Sequence, residues 1–446
     1  MCDGGGVGFS RRIFSDESFW GGGSTLSLSS PLGYRWEMRG IFLWQWFWIL
    51  LGSVSAASVD PSSLEGKVVC GYQGWFRAEG DTSGLGWVHF GQGNRFAPGH
   101  CTFDLWPDLS EFGAAERFKT SFRFANGRAA DLFTSDHPET VRRHFRWMRE
   151  YGIDGAFVQR FGTVVLSPRE RPSADRVLRH CVESAVSEGR TLAIMYDLTN
   201  TPPAGFPAIA EDWKGILATG WTANACTQRY GGRPLVAIYG LGFVDQPEAV
   251  SEWAALIDAF KRTGAAVMLG VPTHWREAKG DASPNKAFHR LLHEADVISP
   301  WTVGRMAKDV DVESIAEHVW QKDLGWCADA GKGYLPVIFP GFSWHNLSKV
   351  RGVESRLDVI PRRGGRFFWK QVTEAKRVGA RSLYVAMFDE VDEGTAVMKC
   401  SAEVPQGASP FVDVSDVPSD HYLWLSGQAG RLIRGESGVG SGFPVR

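Results

Sequence analysis

The chain has 446 residues, room for one large domain or two ordinary ones, and its 43% hydrophobic and 22% charged residues are those of a globular protein. A formal net charge of −2 leaves no surplus of Lys and Arg to neutralise phosphates, which excludes nucleic acid as a partner. Nineteen Trp, with 28 Phe and 9 Tyr, supply core area, but many of the Trp stand beside turns and polar residues, where flat apolar faces suit sugar rings.

Residues 1–37 are rich in Gly and Ser, lack periodicity, and read as a mis-called or disordered extension ahead of a start at Met38. From Met38 the chain runs "MRGIFLWQWFWILLGSVSAAS": a basic Arg39, an apolar stretch, then small residues, the pattern of a signal peptide over 38–57. The apolar run is shorter than the ~20 residues that span a bilayer, so export to the periplasm or outside, without a stable membrane span, is expected. Six Cys remain after cleavage, at 70, 101, 181, 226, 327 and 400. Export permits disulfides, yet the spacing fixes no pairing, and Cys70 and Cys181 sit in apolar segments that suit a buried thiol. No CxxC or HExxH pattern suggests a metal.

From Lys67 short apolar runs alternate with amphipathic stretches. The runs are 67–76, 154–161, 191–198, 234–243, 265–276, 296–305, 334–345 and 382–390. Their continuous apolar character predicts strands covered on both faces, as in a parallel sheet. Between them, 136–152 predicts a helix with Asp136 as cap, Pro138 in the first turn and Gly152 at the end. The stretches 245–264 and 366–379 repeat that design, and 172–189, 206–218, 283–293 and 309–331 are further helical candidates. Eight strands with helical crossovers predict an α/β protein, a (β/α)8 TIM barrel forming a single catalytic domain over 67–436, with 437–446 as a flexible tail. A doubly wound sheet would want a Gly-rich phosphate loop after the first strand, and "GYQGWF" is not one. The segment 77–135 reads as a large loop over one barrel end.

Reactive residues of such barrels lie at the C-terminal strand ends. Those positions hold Gln73 and Trp75, then Arg160, Asp197, His274, Trp275, Arg276, Trp301, Trp344 and His345, and finally Asp389, Glu390, Asp392 and Glu393. Singly, each has an ordinary explanation: core packing for a Trp, an ion pair for the Arg, a solvated loop for the acids. Together they form a rim able to hold an uncharged, polyhydroxylated ligand. In "MFDEVDEGT" four carboxylates fall within five positions, where like charges repel and desolvation is costly. Glycoside hydrolysis needs two carboxyls of split pKa, and crowding supplies the split. Glu390 and Glu393, three apart across a turn at Gly394, are the candidate catalytic pair, at a spacing nearer the retaining geometry than the inverting one.

The stretch "FDEVDEGT" resembles the signature Asn-Glu-Trp-His-Glu-Gly-Thr of glycoside hydrolase family 99, the endo-α-mannosidases, and of its family 71/99-like bacterial relatives. Glu390, Glu393, Gly394 and Thr395 match; Asp389, Val391 and Asp392 differ. "GYQGWF", "YGIDGAFVQRF", "GVPTHWR", "SPWTVGR", "FPGFSWH" and "SDHYLWLSGQAG" are similar too, so the likeness covers most of 67–436. It implies Glu393 as general acid/base and Glu390 as base on the substrate's own 2-hydroxyl, through a 1,2-anhydro-sugar and with retained configuration. It implies no metal or cofactor, and an oligosaccharide or polysaccharide as the partner. Two rivals stand beside it: a non-catalytic sugar-binding barrel, and a calcium site on Asp389, Glu390 and Asp392.

Overall fold

The computed structural model describes residues 58–446 except 93 and 94; the expected extension 1–37 and signal peptide 38–57 lie outside the described residues. Eight parallel strand positions follow one another: β1 (Val68–Tyr72), β2 (Gly155–Phe161), β3 (Thr191–Asp197), β4 (Arg233–Tyr239), β5 (Ala266–Pro272), β6 (Val297–Trp301), β7 and β8 (Leu383–Val385). β7 comes in two pieces, Gly333–Tyr334 and Val337–Ile338, because Pro336 has no N–H to continue the ladder. The first piece pairs with β6 and the second with β8, while β8 pairs with β1. The two ends of the sheet thus meet at 333–338, closing the expected TIM barrel. A two-residue strand, Arg229–Tyr230, adds an antiparallel flap to β4 that the sequence pattern did not announce.

Each strand position is followed by a helix: α1 (Pro138–Tyr151), α2 (Arg171–Glu188), α3 (Phe206–Ala218), α4 (Val250–Arg262), α5 (Lys286–Leu291), α6 (Asp309–Ile315, continued through a π turn into Gln321–Asp329), α7 (Arg366–Arg377) and α8 (His421–Arg434). In α1, Val141, Phe145 and Met148 are fully buried at helical spacing, and Gly152 ends the helix at φ 79°. The cap differs from expectation: His137 accepts the Glu139 N–H through Nδ1 at 3.3 Å. Asp136 is buried instead, accepting from Ser173 Oγ at 2.7 Å and pairing with Arg176. All six cysteines of the described residues are free and buried. Among the described residues no helix is long and apolar enough to cross a membrane. The tail 437–446 carries no regular structure, but Arg446 pairs with Asp420 and the Ser441 carbonyl accepts from Trp369 Nε1 at 3.2 Å.

Among the described residues the segment 77–135 has a 3-10 turn at Ala114–Glu116 and isolated antiparallel bridges such as Phe118 to Leu132, and is otherwise irregular, as expected. Asp104 ties it to the C-terminal end of the barrel. Its carboxylate accepts from Ser343 Oγ (2.6 Å), the His345 and Asn346 N–H groups (2.6 and 2.9 Å) and Asn346 Nδ2 (2.8 Å). Its own N–H donates to the Val391 carbonyl at 3.2 Å. One buried acid therefore joins the long loop to the segments after β7 and β8. Asp104→Ala would leave these donors facing a void, and is expected to lower unfolding stability by about 3 kcal/mol in a denaturant titration.

Candidate active site

The acidic stretch begins at Asp389, shortly after the end of β8 at Val385. Asp389 is fully buried; Oδ1 accepts the Gln73 N–H and Oδ2 the Gly74 N–H, both at 2.8 Å. Its carboxylate thus clamps the segment after β8 to the turn after β1 and is out of reach of a ligand, being fully buried. That corrects its placement among the substrate-binding residues. Burial pushes the Asp389 carboxyl up to about 7, against the pull of the two backbone donors.

From Asp389 the chain turns tightly. Gly394 has φ 65°, and a Cβ there would come 2.8 Å from the Ser343 backbone nitrogen, so glycine is required by both space and conformation. Arg362 holds the turn from outside, donating from one guanidinium nitrogen to the Gly394 and Ala396 carbonyls at 2.9 and 2.6 Å.

Within this turn the two glutamates have different surroundings. Glu390 is buried, accepting at Oε1 from Gln73 Nε2 and at Oε2 from Thr395 Oγ1, each at 2.6 Å. Glu393 is half-buried, and its backbone carbonyl accepts from the Ser343 N–H at 2.9 Å. Burial first, then the charge of Glu393, then that of Asp392, push the Glu390 carboxyl well above the usual carboxylate range. Burial and then Asp392 push Glu393 up to about 7, opposed by Arg351. Asp197, at the end of β3, is raised by burial to about 6 and accepts the Thr199 N–H at 2.8 Å.

Tyr239, the last residue of β4, joins these groups. Burial raises its hydroxyl well above the usual phenol range, and the charges of Asp197, Glu393 and Glu390 add to that in this order. Its ring meets Trp301, the last residue of β6, edge to face at 5.1 Å. Strand four contributes no residue to the rim inferred from the sequence, so Tyr239 was missed, although it ends the apolar run "PLVAIY" as the other site residues end theirs. His89 was missed as well, lying in the aperiodic loop 77–135. It faces Asp392, Nδ1 to Oδ2 at 3.1 Å, and stacks on Trp75 at 3.7 Å.

Several rim candidates have other partners. Arg160 is buried and bonded to Asp212 and Asp175 at 2.5–2.6 Å, with the Tyr196 hydroxyl sharing Asp212. Trp275 is 1% exposed and donates to Asp323 at 2.8 Å; Arg276 donates to the other oxygen of Asp323 at 2.9 Å. These three brace strands against α3 and α6 rather than face a ligand. The His345 ring bonds the Ser355 carbonyl at 2.6 Å and so orders its own loop. His274 lies 3.6 Å from Glu277, within its own loop. Trp75 is stacked on both His89 and Phe161, so its ring is already packed. Trp344 is half-buried, beside Phe342 at 6.2 Å. The site thus gathers Gln73, Asp197, Tyr239, Trp301, Glu390, Asp392 and Glu393.

No protein-family model and no curated protein matches the sequence. Among solved structures, the chain is similar to the GH99 endo-alpha-mannosidase from Bacteroides thetaiotaomicron, with and without bis-tris propane. The complex gives a TM-score of 0.61 at 15% identity over 84% of this chain and 98% of that one. The other structure gives 0.61 at 16% identity over 83% and 99%. The likeness spans nearly the whole of those chains and establishes a shared barrel fold.

The raised carboxyls have a consequence for stability. Above about pH 4.5 the folded protein keeps protons that the unfolded chain has released, on Asp197 up to about pH 6 and on Glu393 and Asp389 up to about pH 7. Folding stability from these groups is therefore greatest at the acid end and falls as pH rises toward 7. Glu393→Gln removes one such group, so its melting temperature is expected to exceed that of the wild type by a few degrees at pH 8 and by less at pH 5, in paired thermal scans.

Proposed function

We propose that this chain is an exported, retaining glycoside hydrolase acting on an α-linked glycan. The observation that carries the reading is the carboxyl pair after β8: two glutamates raised by burial and by charge, one tethered by two donors and the other half-open. Such an environment opposes double ionisation, so the pair holds about one charge near neutrality. Burial holds Glu390 higher than Glu393, against the pull of the donors from Gln73 and Thr395. We nevertheless assign the pair's charge to Glu390, because only there do two donors stand ready to hold a carboxylate, and this leaves the proton on Glu393. A base and an acid side by side are what glycosidic cleavage needs.

In the first step Glu393 gives its proton to the glycosidic oxygen as the C1–O bond breaks. Glu390 takes the proton of the sugar's 2-hydroxyl, whose oxygen bonds to C1 and closes a 1,2-anhydro ring. In the second step Glu393, now ionised, takes a proton from water, whose oxygen attacks C1 on the face first occupied by the leaving group. The ring opens, and Glu390 returns its proton to O2. Two inversions at C1 give net retention. The α-linkage rests on the likeness in fold and motif to an endo-alpha-mannosidase. Mannose itself is left open, because Val391 and Asp392 replace the Trp-His pair of the family motif. Export rests on the signal-like pattern of 38–57.

The mature chain and its Glu393→Gln variant should be incubated with α-mannan and α-glucan oligosaccharides and new reducing ends counted. The wild type is expected to release them from the α-mannan, whose 2-hydroxyl lies trans to the leaving oxygen, and not from the α-glucan, whose cis 2-hydroxyl cannot close the 1,2-anhydro ring; the variant is expected to fall by ~10²–10⁴. Activity of the wild type should decline above about pH 7, where Glu393 loses the proton it must donate. Full activity in the variant would remove Glu393 from the acid's role; binding without release by either would favour a sugar-binding barrel.

A further inference from the structure

The loop 77–135 delivers one polar side chain against the acidic turn whose placement a purely structural role does not explain. His89 has φ 62°, a left-handed conformation that costs energy in a non-glycine residue. Its carbonyl accepts from Thr102 Oγ1 at 2.7 Å, which holds that backbone. The ring is fixed twice more, by a near-parallel stack on Trp75 (7° between planes) and by Asp392 on Nδ1. Trp75 is backed in turn by Phe161 at 5.0 Å, the last residue of β2. Three constraints thus converge on one imidazole. The side chain nevertheless stays 35% exposed, so the ring is locked without being buried.

A carboxylate can only accept, so Nδ1 carries the proton toward Asp392, and in that tautomer Nε2 presents a lone pair. Asp392 is itself 3% exposed, and its second oxygen, Oδ1, is buried without a protein partner, as is Trp75 Nε1. A buried acceptor left unpaired is destabilising, and a residue serving only to pin the loop would be better satisfied. Asp392 immediately precedes Glu393, which puts this assembly at the proposed cleavage point. The family motif carries a histidine at the position of Asp392; here the imidazole comes from a different part of the chain.

We infer that His89 is a substrate-binding residue at this mouth: Asp392 and Trp75 orient its imidazole so that Nε2 accepts a hydroxyl of the glycan beside Glu393. The inference rests on the glycosidase reading and adds to it that the loop 77–135 helps select the sugar. Asp392 acts here as a positioning residue, and the ligand class is a neutral sugar offering a hydroxyl donor.

The test measures binding separately from turnover. In the full-length Glu393→Gln background, affinity would be measured by calorimetry for an α-mannan or α-glucan oligosaccharide that the wild type cleaves. His89→Phe keeps a flat ring for Trp75 but has no acceptor; it is expected to weaken binding roughly tenfold, the scale of one hydrogen bond, with a melting temperature within a few degrees of its parent. Asp392→Asn, which keeps an acceptor for Nδ1–H, should retain more affinity than Asp392→Leu. Unchanged affinity in His89→Phe overturns the assignment while leaving the glycosidase reading intact. If His89→Phe does not fold, His89→Leu decides on the same readout. If the wild type neither cleaves nor binds any of these oligosaccharides, the glycosidase reading fails and the role of His89 falls with it.

Discussion

Two hydrogen bonds, from the Gln73 and Gly74 amides to the carboxylate of Asp389, join the last strand position of the barrel to the first at its C-terminal end. Everything distinctive about the site hangs from that seam. With Asp389 fixed, the next residues must turn, and Gly394, packed against the Ser343 backbone, lets them do so. Gln73, whose backbone holds Asp389, uses its side chain to hold Glu390. One residue of the first strand segment therefore aligns both the clamp and the tethered glutamate, which makes their relative position a property of barrel closure rather than of a loop.

The electrostatics follow from the same geometry. Burying several carboxylates within one turn is unfavourable unless donors or protons compensate. Asp389 receives two backbone donors, Glu390 two side-chain donors, and Asp392 a histidine. Among the described residues Glu393 has no such donor to its carboxylate, and like Asp389 and Glu390 it answers burial by holding its proton longer. The site thus carries a standing free-energy cost, and perturbed ionisation of this kind is what the proposed function draws on. Asp104 and Arg362 contribute the compensating rigidity, bonding the segments after β7 and β8 from outside the turn.

The same buried-acid device recurs between strands and helices. Asp212 gathers Arg160, Arg171 and Tyr196 behind β2 and β3, and Asp323 gathers Trp275, Arg276 and Tyr334 behind β5. In both, a residue at a strand's C-terminal end reaches outward to a helix instead of inward to the mouth. Residue type and strand-end position are alike in the two situations; only the direction of the side chain separates a brace from a binding group.

That distinction marks the boundary between what the sequence determined and what tertiary structure decided. Eight apolar runs, the interleaved helices ending at glycines such as Gly152, Gly264 and Gly379, and the barrel class were legible because each depends on local periodicity and turn chemistry. Crowding of Glu390 and Glu393 was legible for the same reason: they are three residues apart. Strand-end position could not tell Arg160, Trp275 and Arg276 from Gln73, since their partners lie 15 to 317 residues away along the chain. Nor could it find Tyr239, whose run looked like its neighbours, or His89, whose loop has no period to read. Their place at the mouth is set by packing between segments far apart in sequence, and no local pattern encodes that.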